Sequence, residues 1–250
     1  MPSIVLDEVS IRFPVYGTNS QSFKRALVRL STGGFLNKDE GKILTVEAID
    51  KLSFEVKNGS RLGLIGHNGA GKSTLLRLLS GIYEPTSGKA IVKGRITSLI
   101  DIMCGMDEEL TGYENITLRG ILSGFSYKGI KQKESAIADF TGLGDYLQVP
   151  LRTYSSGMRI RLALGIALNV EAEVLLIDEV VGAGDAAFAK KSTEKISSLI
   201  SNSSIVVLSS HDMEMVRSIC DTVLVMEAGK KIFHGGIEEG IEHYKKSSNP

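Results

Sequence analysis

Gly66-His67-Asn68-Gly69-Ala70-Gly71-Lys72-Ser73-Thr74 is the stretch on which the reading of this chain turns. Its spacing is G-x-x-x-x-G-K-[ST], the pattern of a loop that wraps the phosphates of a nucleotide. The apolar run Arg61-Leu62-Gly63-Leu64-Ile65 precedes it and reads as a buried strand; Thr74-Leu75-Leu76-Arg77-Leu78-Leu79 follows and reads as a helix. Glycines between the two let successive backbone N–H groups turn inward and form an anion nest at a helix N-terminus. In that geometry Lys72 reaches the β- and γ-phosphates and the Ser73 hydroxyl ligates Mg2+. A glycine turn before an ordinary helix would need neither the full spacing nor the strand that leads into it.

Outward from this loop, the bulk numbers narrow the class. The chain has 250 residues, with 29 basic against 29 acidic side chains. A balanced charge argues against a bulk nucleic-acid binder, which carries a basic excess. The two cysteines, Cys104 and Cys220, lie far apart without metal-ligand spacing, so no disulfide framework is expected and a reducing compartment fits. Met1-Pro2-Ser3-Ile4 opens no signal peptide, and no apolar stretch is long enough to span a bilayer. Any membrane role is expected to come through a partner.

Strands are expected at Ile4-Val5-Leu6 and Val9–Phe13, as one bent or two separate strands, and at Lys51–Val56, where apolar and polar residues alternate. Asn58-Gly59 reads as a hairpin turn joining the last of these to the strand before the phosphate loop. An insertion lies at about residues 17–42. In it Phe23, Ala26, Leu27 and Leu30 keep helical spacing with Lys24, Arg25 and Arg29 interleaved. A basic amphipathic helix of this kind rests on a membrane or membrane protein, or else covers its own core. Gly88 to Ile100 reads as a short antiparallel pair turning at Lys93-Gly94, and the chain becomes helical from about Leu110 to Asn169. Val174–Ile177 and Ile205–Leu208 are continuous apolar runs, suited to a parallel sheet buried on both faces, with a helix around Lys190–Ile200 as the crossover. A final hairpin is expected around Ala228-Gly229, then a short polar tail.

Three further groups carry chemistry. Asp178-Glu179 follows an apolar strand directly, so Asp178 can hold the Mg2+ through water while Glu179 polarises the attacking water; alone, the pair would serve as a helix N-cap. Tyr154-Ser155-Ser156-Gly157-Met158 precedes an amphipathic helix, which makes either a serine N-cap or a second anion-binding helix start. His211, in Ser209-Ser210-His211-Asp212, stands just after a strand, where a neutral imidazole can hydrogen-bond the γ-phosphate and the attacking water.

Taken in order, GHNGAGKST, YSSGM, LLIDE, Asp185 and SSHD resemble the ATP-binding subunit of an ABC transporter, and the resemblance covers nearly the whole chain. It implies an α/β fold: a P-loop NTPase, ABC-type ATPase domain with a mixed central sheet, an antiparallel β subdomain and an inserted helical subdomain. Set on this chain, that is one domain over residues 1–250, with a RecA-like core at about 1–100 and 170–235, a helical subdomain at about 105–169, the insertion at 17–42 and a tail at 236–250. By matching position, Gly66, His67, Asn68, Gly69, Ala70, Gly71, Lys72, Ser73 and Thr74 form the Walker A loop, Val174 to Asp178 Walker B, Glu179 the catalytic glutamate, Asp185 the D-loop aspartate and His211 the switch histidine. The resemblance also implies a head-to-tail homodimer in which Ser155, Ser156 and Gly157 contact ATP held by the other copy.

Three departures stand out. The signature carries Ser156 and Met158 in place of the usual glycine and glutamine. No glutamine stands near residues 100–103, where the family's glutamine loop falls, and Asp101 is the nearest polar candidate beside the metal. The adenine-stacking aromatic is Tyr16 or Phe13, with Tyr16 preferred. YSSGMRIRLALGIAL, DEVVGAGDAAF and GRITSLIDIMCGMDEELTGYENI resemble the subfamily that exports O-antigen, capsule and teichoic acid, although Met103-Cys104-Gly105-Met106 replaces a more glycine-rich run. The function this implies is ATP hydrolysis coupled to export of a lipid-linked polysaccharide at the cytoplasmic face of the bacterial inner membrane. The partner implied is a separate integral membrane permease, with Leu110 to Phe125 as the contact, and no carbohydrate-binding domain is expected after Pro250. The alternatives are an ABC subunit exporting a drug, lipid or peptide, and a soluble ABC ATPase outside transport.

Overall fold

The computed structural model describes residues 1–15, 35–37, 45–178 and 186–248. Tyr16, Glu179, Asp185 and most of the 17–42 insertion lie outside these residues, so the expected insertion helix does too. The chain folds into two compact units: residues 1–93 with 205–250, and residues 94–204.

The first unit holds two sheets. Strands β1 (Ser3–Pro14), β2 (Phe35–Asn37), β3 (Thr45–Val56) and β5 (Ser87–Lys93) form an antiparallel sheet in the order β2-β3-β1-β5. Ile4 faces Val56 and Leu6 faces Phe54, and the apolar partners of this register are buried. The opening segment is a single strand, bent where the register shifts between Leu6 and Val9; Glu8 there has φ 49° and its N–H donates to Ser53 Oγ at 2.8 Å.

The other sheet of this unit is built on β4 (Arg61–Ile65), which runs parallel to both β8 (Ile205–Ser209) and β9 (Thr222–Glu227); β9 turns at Ala228-Gly229 into antiparallel β10 (Lys230–Gly236). Leu62, Leu64, Ile65 and Val206 are fully buried, which explains their unbroken apolar runs. Helices α1 (Lys72–Leu79), α6 (Met213–Ile219) and α7 (Ile237–Ser248) complete the unit.

The second unit holds a parallel pair, β6 (Ile96–Ser98) and β7 (Val174–Ile177), with helices α2 (Gly112–Leu122), α3 (Tyr127–Thr141), α4 (Ser156–Leu168) and α5 (Ala186–Asn202). Thr111 starts α2 with a capping box: its hydroxyl accepts from Glu114 N–H, and the Glu114 carboxylate accepts from Thr111 N–H. The hydrogen bonds that Thr111 gives this carboxylate, backbone first and then side chain, hold it below its usual range. Ile116, Ile130, Ile137, Leu147, Leu151, Leu162 and Ile166 close a core between the helices.

Two local readings are corrected, and the polar tail takes on a structure of its own. Lys93-Gly94 does not turn a hairpin, because β5 pairs with β1 whereas β6 pairs with β7. Asn58-Gly59 does make a tight turn, with Ser60 N–H on Lys57 O at 3.1 Å, yet it hands the chain from one sheet to the other. The tail from residue 237 is a helix, with Glu238 and Glu239 in its first turn and Lys245 and Lys246 in its last, each on the side its dipole favours. Among the described residues no helix is long and apolar enough to cross a membrane.

Candidate functional site

The phosphate loop leaves the carboxyl end of β4 and enters α1. Gly71 stands at the N-cap with φ 102°, and no side chain caps the helix. Gly71 supplies no capping side chain, and the N-terminus of α1 is the kind of helix start that favours an anion. Only glycine fits three positions around this loop. A Cβ at Gly66 would fall 2.4 Å from the Met226 carbonyl oxygen, and Cβ atoms at Gly71 and Gly229 would fall 2.7 and 2.8 Å from that of Ala48. The turn at 228–229 thus closes against the loop from behind, and Gly229 N–H donates to Ala70 O at 3.0 Å.

Lys72 is 8% exposed. Its ammonium folds back on the loop, donating to the carbonyl oxygens of Gly66 and, at 3.2 Å, His67. The positive charge is held inside the cradle where phosphate charge would enter. Ser73, on the first turn of α1, is exposed. His211 leaves the end of β8, and its Nε2 lies 3.1 Å from Asn68 Oδ1. The amide oxygen accepts, so this contact favours the Nε2–H tautomer. Phe13, at the end of β1, meets Tyr83 edge-on with ring centroids 5.3 Å apart.

The second unit carries the other residues singled out by sequence. Asp178 directly follows β7, whose four residues are all buried, and Asp101 lies in the turn closed by Cys104 N–H on Asp101 O at 2.8 Å. Ser155 is the N-cap of α4 and accepts from Met158 N–H at 3.3 Å. Its hydroxyl proton remains available to another acceptor. Ser155, Ser156 and Gly157 are exposed, and a Cβ at Gly157 would meet nothing within 4 Å. Among the described residues, nothing in the packing requires glycine there.

Tyr154 anchors this helix start. The side chain is 5% exposed, its hydroxyl donates to Tyr146 O, and burial pushes its pKa up, with Tyr113 adding to the shift. A Cβ at Gly112 would fall 2.5 Å from the Tyr154 hydroxyl, so the first residue of α2 is fitted to the signature tyrosine. The sequence marks Tyr154 as part of the signature but carries no sign of its contact with Gly112, nor of the Asn68–His211 pair.

A phosphate loop, an aspartate ending a buried strand, an exposed serine-capped helix and a histidine on the phosphate loop define a P-loop ATPase. The sequence profile of the ABC transporter family matches residues 49–182. The chain is 44% identical over 229 residues to the O-antigen export system ATP-binding protein RfbE of Yersinia enterocolitica, covering 92% of this chain and 96% of the relative. It is 35% identical over 236 residues to the teichoic acids export ATP-binding protein TagH of Listeria monocytogenes, covering 94% of this chain and 68% of that one. A solved dimeric ATP-binding cassette, MJ0796 in a post-hydrolysis state bound to ADP and Pi, shares the fold with a TM-score of 0.64 at 18% identity, over 94% of this chain and 98% of that one. The chain belongs to the ABC transporter family of ATP-binding proteins and is an ATPase.

Proposed function

We propose that this chain is the ATP-hydrolysing subunit of an exporter for a lipid-linked polysaccharide of O-antigen, capsule or teichoic-acid type. It works as a head-to-tail homodimer at the cytoplasmic face of the bacterial inner membrane, where a separate permease spans the bilayer. The observation that carries the cargo class is the likeness, along nearly its whole length, to an O-antigen export ATP-binding protein.

The chemistry follows from the residues. The α1 N–H groups and Lys72 neutralise the phosphates. Ser73 and Asp178 offer hard oxygen donors of the kind Mg2+ prefers, with Asp101 a third candidate. Mg2+ held by these residues would offset negative charge on the phosphates. Glu179 is assigned to polarise the attacking water, and His211, oriented by Asn68, to hydrogen-bond the γ-phosphate. Tyr16 or Phe13 is assigned to stack the adenine, and Asp185, the D-loop aspartate by resemblance, to the nucleotide site.

The dimer is supported by the open space at Gly157 and the spare donor of Ser155. A helix start that exposes serine hydroxyls, and a glycine that packing among the described residues does not require, suits a phosphate brought by another copy. The test is a bacterium whose sole copy carries Lys72→Ala. Lipid-linked polysaccharide should accumulate on the inner leaflet and disappear from the surface, with ATP binding to the purified protein lost. Unchanged surface polysaccharide would overturn the reading.

A further inference from the structure

Residues 107–111 are held from two sides within the second unit. On one side is α2. Asn115, fully buried, accepts Asp107 N–H at 2.8 Å and donates to the carbonyl oxygens of Asp107, Leu110 and Thr111 at 2.9, 3.1 and 3.0 Å. On the other side is the run leading into α4. Leu151 N–H donates to Leu110 O and Arg152 N–H to Glu108 O, both at 2.9 Å, and Thr111 and Pro150 form an antiparallel bridge.

Side chains repeat this link. The Arg152 guanidinium pairs with the Glu109 carboxylate at 2.7 Å. The Arg159 guanidinium pairs with the Glu108 carboxylate and donates to Arg152 O at 3.2 Å. Arg159 lies in the first turn of α4, and its backbone N–H donates to the carbonyl oxygen of Ser155 at 3.0 Å. A guanidinium fixed at two points therefore stands one helical hydrogen bond from the signature serine.

Stability does not explain this arrangement. The Glu108 side chain is 62% exposed, and ion pairs this open to water contribute little. A cation in the first turn of a helix also opposes the helix dipole. What the fork does supply is direction, because a planar guanidinium bonded at two oxygens fixes its own orientation and that of the turn bearing it.

We propose that Glu108 and Arg159 are a positioning pair. It aims Ser155 to Gly157 at the nucleotide held by a second copy of the chain, and residues 107–111 tie that aim to α2. The inference rests on the composite-site reading above and adds the device that sets its geometry. Neither side chain touches the nucleotide; both act through the amino end of α4.

The test compares full-length Arg159→Gln, Glu108→Gln, the double variant and Arg159→Lys with the parent. Each of the first three should turn over ATP about 10-fold more slowly at saturation, because misaligned reacting groups lose rate steeply. Nucleotide affinity of the monomer, read with a fluorescent ATP analogue, and melting temperature should stay at the parental values. The double variant should be no slower than either single variant, as expected of two residues that form one unit. Arg159→Lys, which keeps the charge without the fork, should fall between. In a Glu179→Gln background, sedimentation should show weaker ATP-dependent dimers for Arg159→Gln. Parental turnover in Arg159→Gln, independent multiplying losses in the double variant, or equally strong dimers would overturn the pair alone. Absence of ATP-dependent dimers in Glu179→Gln itself, with the pair intact, would overturn the composite-site reading and the pair with it.

Discussion

His211 and Asn68 meet at the phosphate loop, with Nε2 of the imidazole 3.1 Å from Oδ1 of the amide. The two residues stand just beyond the ends of β8 and β4, which are hydrogen-bonded parallel neighbours with Leu64 beside Ser209. The sheet thus brings together a histidine and a loop residue far apart in sequence. The amide oxygen can accept only from an N–H, so it selects one tautomer of the neutral ring and orients it.

Asn68→Ala removes that acceptor without touching the backbone cradle. Turnover should fall about 10-fold, the scale of a lost proton-positioning contact, while ATP affinity changes little. His211→Ala should lower turnover at least as far, and the double variant no further than His211→Ala. Steady-state ATPase rates beside nucleotide titrations check this; additive losses would show that the two residues act separately.

Asn115 is the buried hinge pin of residues 107–111. Asn115→Ala strands one backbone N–H and leaves three carbonyl oxygens without their shared donor. The expected loss is about 2–4 kcal/mol of stability, from unsatisfied buried groups. Urea unfolding measures it, and a loss below about 1 kcal/mol would mean that water replaces the amide.

The two cysteines differ in reactivity. Cys220 is buried, and desolvation, aided by Asp221, pushes its thiol up to about 12; Cys104 is exposed. Only the thiolate attacks an alkylating agent. At about pH 8 iodoacetamide should modify Cys104 in the native protein and leave Cys220 intact until denaturant is added. Mass spectrometry of tryptic peptides reads both sites.

His234 gives stability a pH dependence. Burial, and then Lys231, holds its imidazole below the ordinary value, with the Phe54 ring edge-on at 6.0 Å. In the unfolded chain the ring titrates near its usual value of about 6.5. Above that pH it is neutral in both states and without effect. As pH falls below it, the unfolded chain binds the proton first, and stability declines until the folded ring's own lower pKa is passed. Calorimetry from about pH 7 to about pH 5 should show a falling melting temperature, less steep in His234→Gln.

What the sequence made legible was local. The phosphate loop, β4, β7 and β8 each declare themselves in a few consecutive residues, because a glycine-rich nest and a doubly buried strand are conditions on neighbours. Strand partnership is not. Asn58-Gly59 and Lys93-Gly94 have hairpin chemistry, yet the strands they follow find partners elsewhere: β3 on β1, and β5 on β1. The helix at 237–248 did carry a signal, acidic at its start and basic at its end, under a polar composition that masked it. The contacts that orient function, Asn68 with His211 and Glu108 with Arg159, join residues that no short window contains.

The turn at Ala228-Gly229 closes behind the phosphate loop, with Met226 and Ala48 carbonyls against its glycines. That placement sets a timetable. On the ribosome, residues 66–74 emerge long before 226–229, so a nascent chain displays the motif while the backing that shapes it is still unmade. Full nucleotide affinity is therefore expected late, once the final hairpin docks. A chain halted before that hairpin is expected to carry every letter of the motif and bind ATP more weakly, which a nucleotide titration would read.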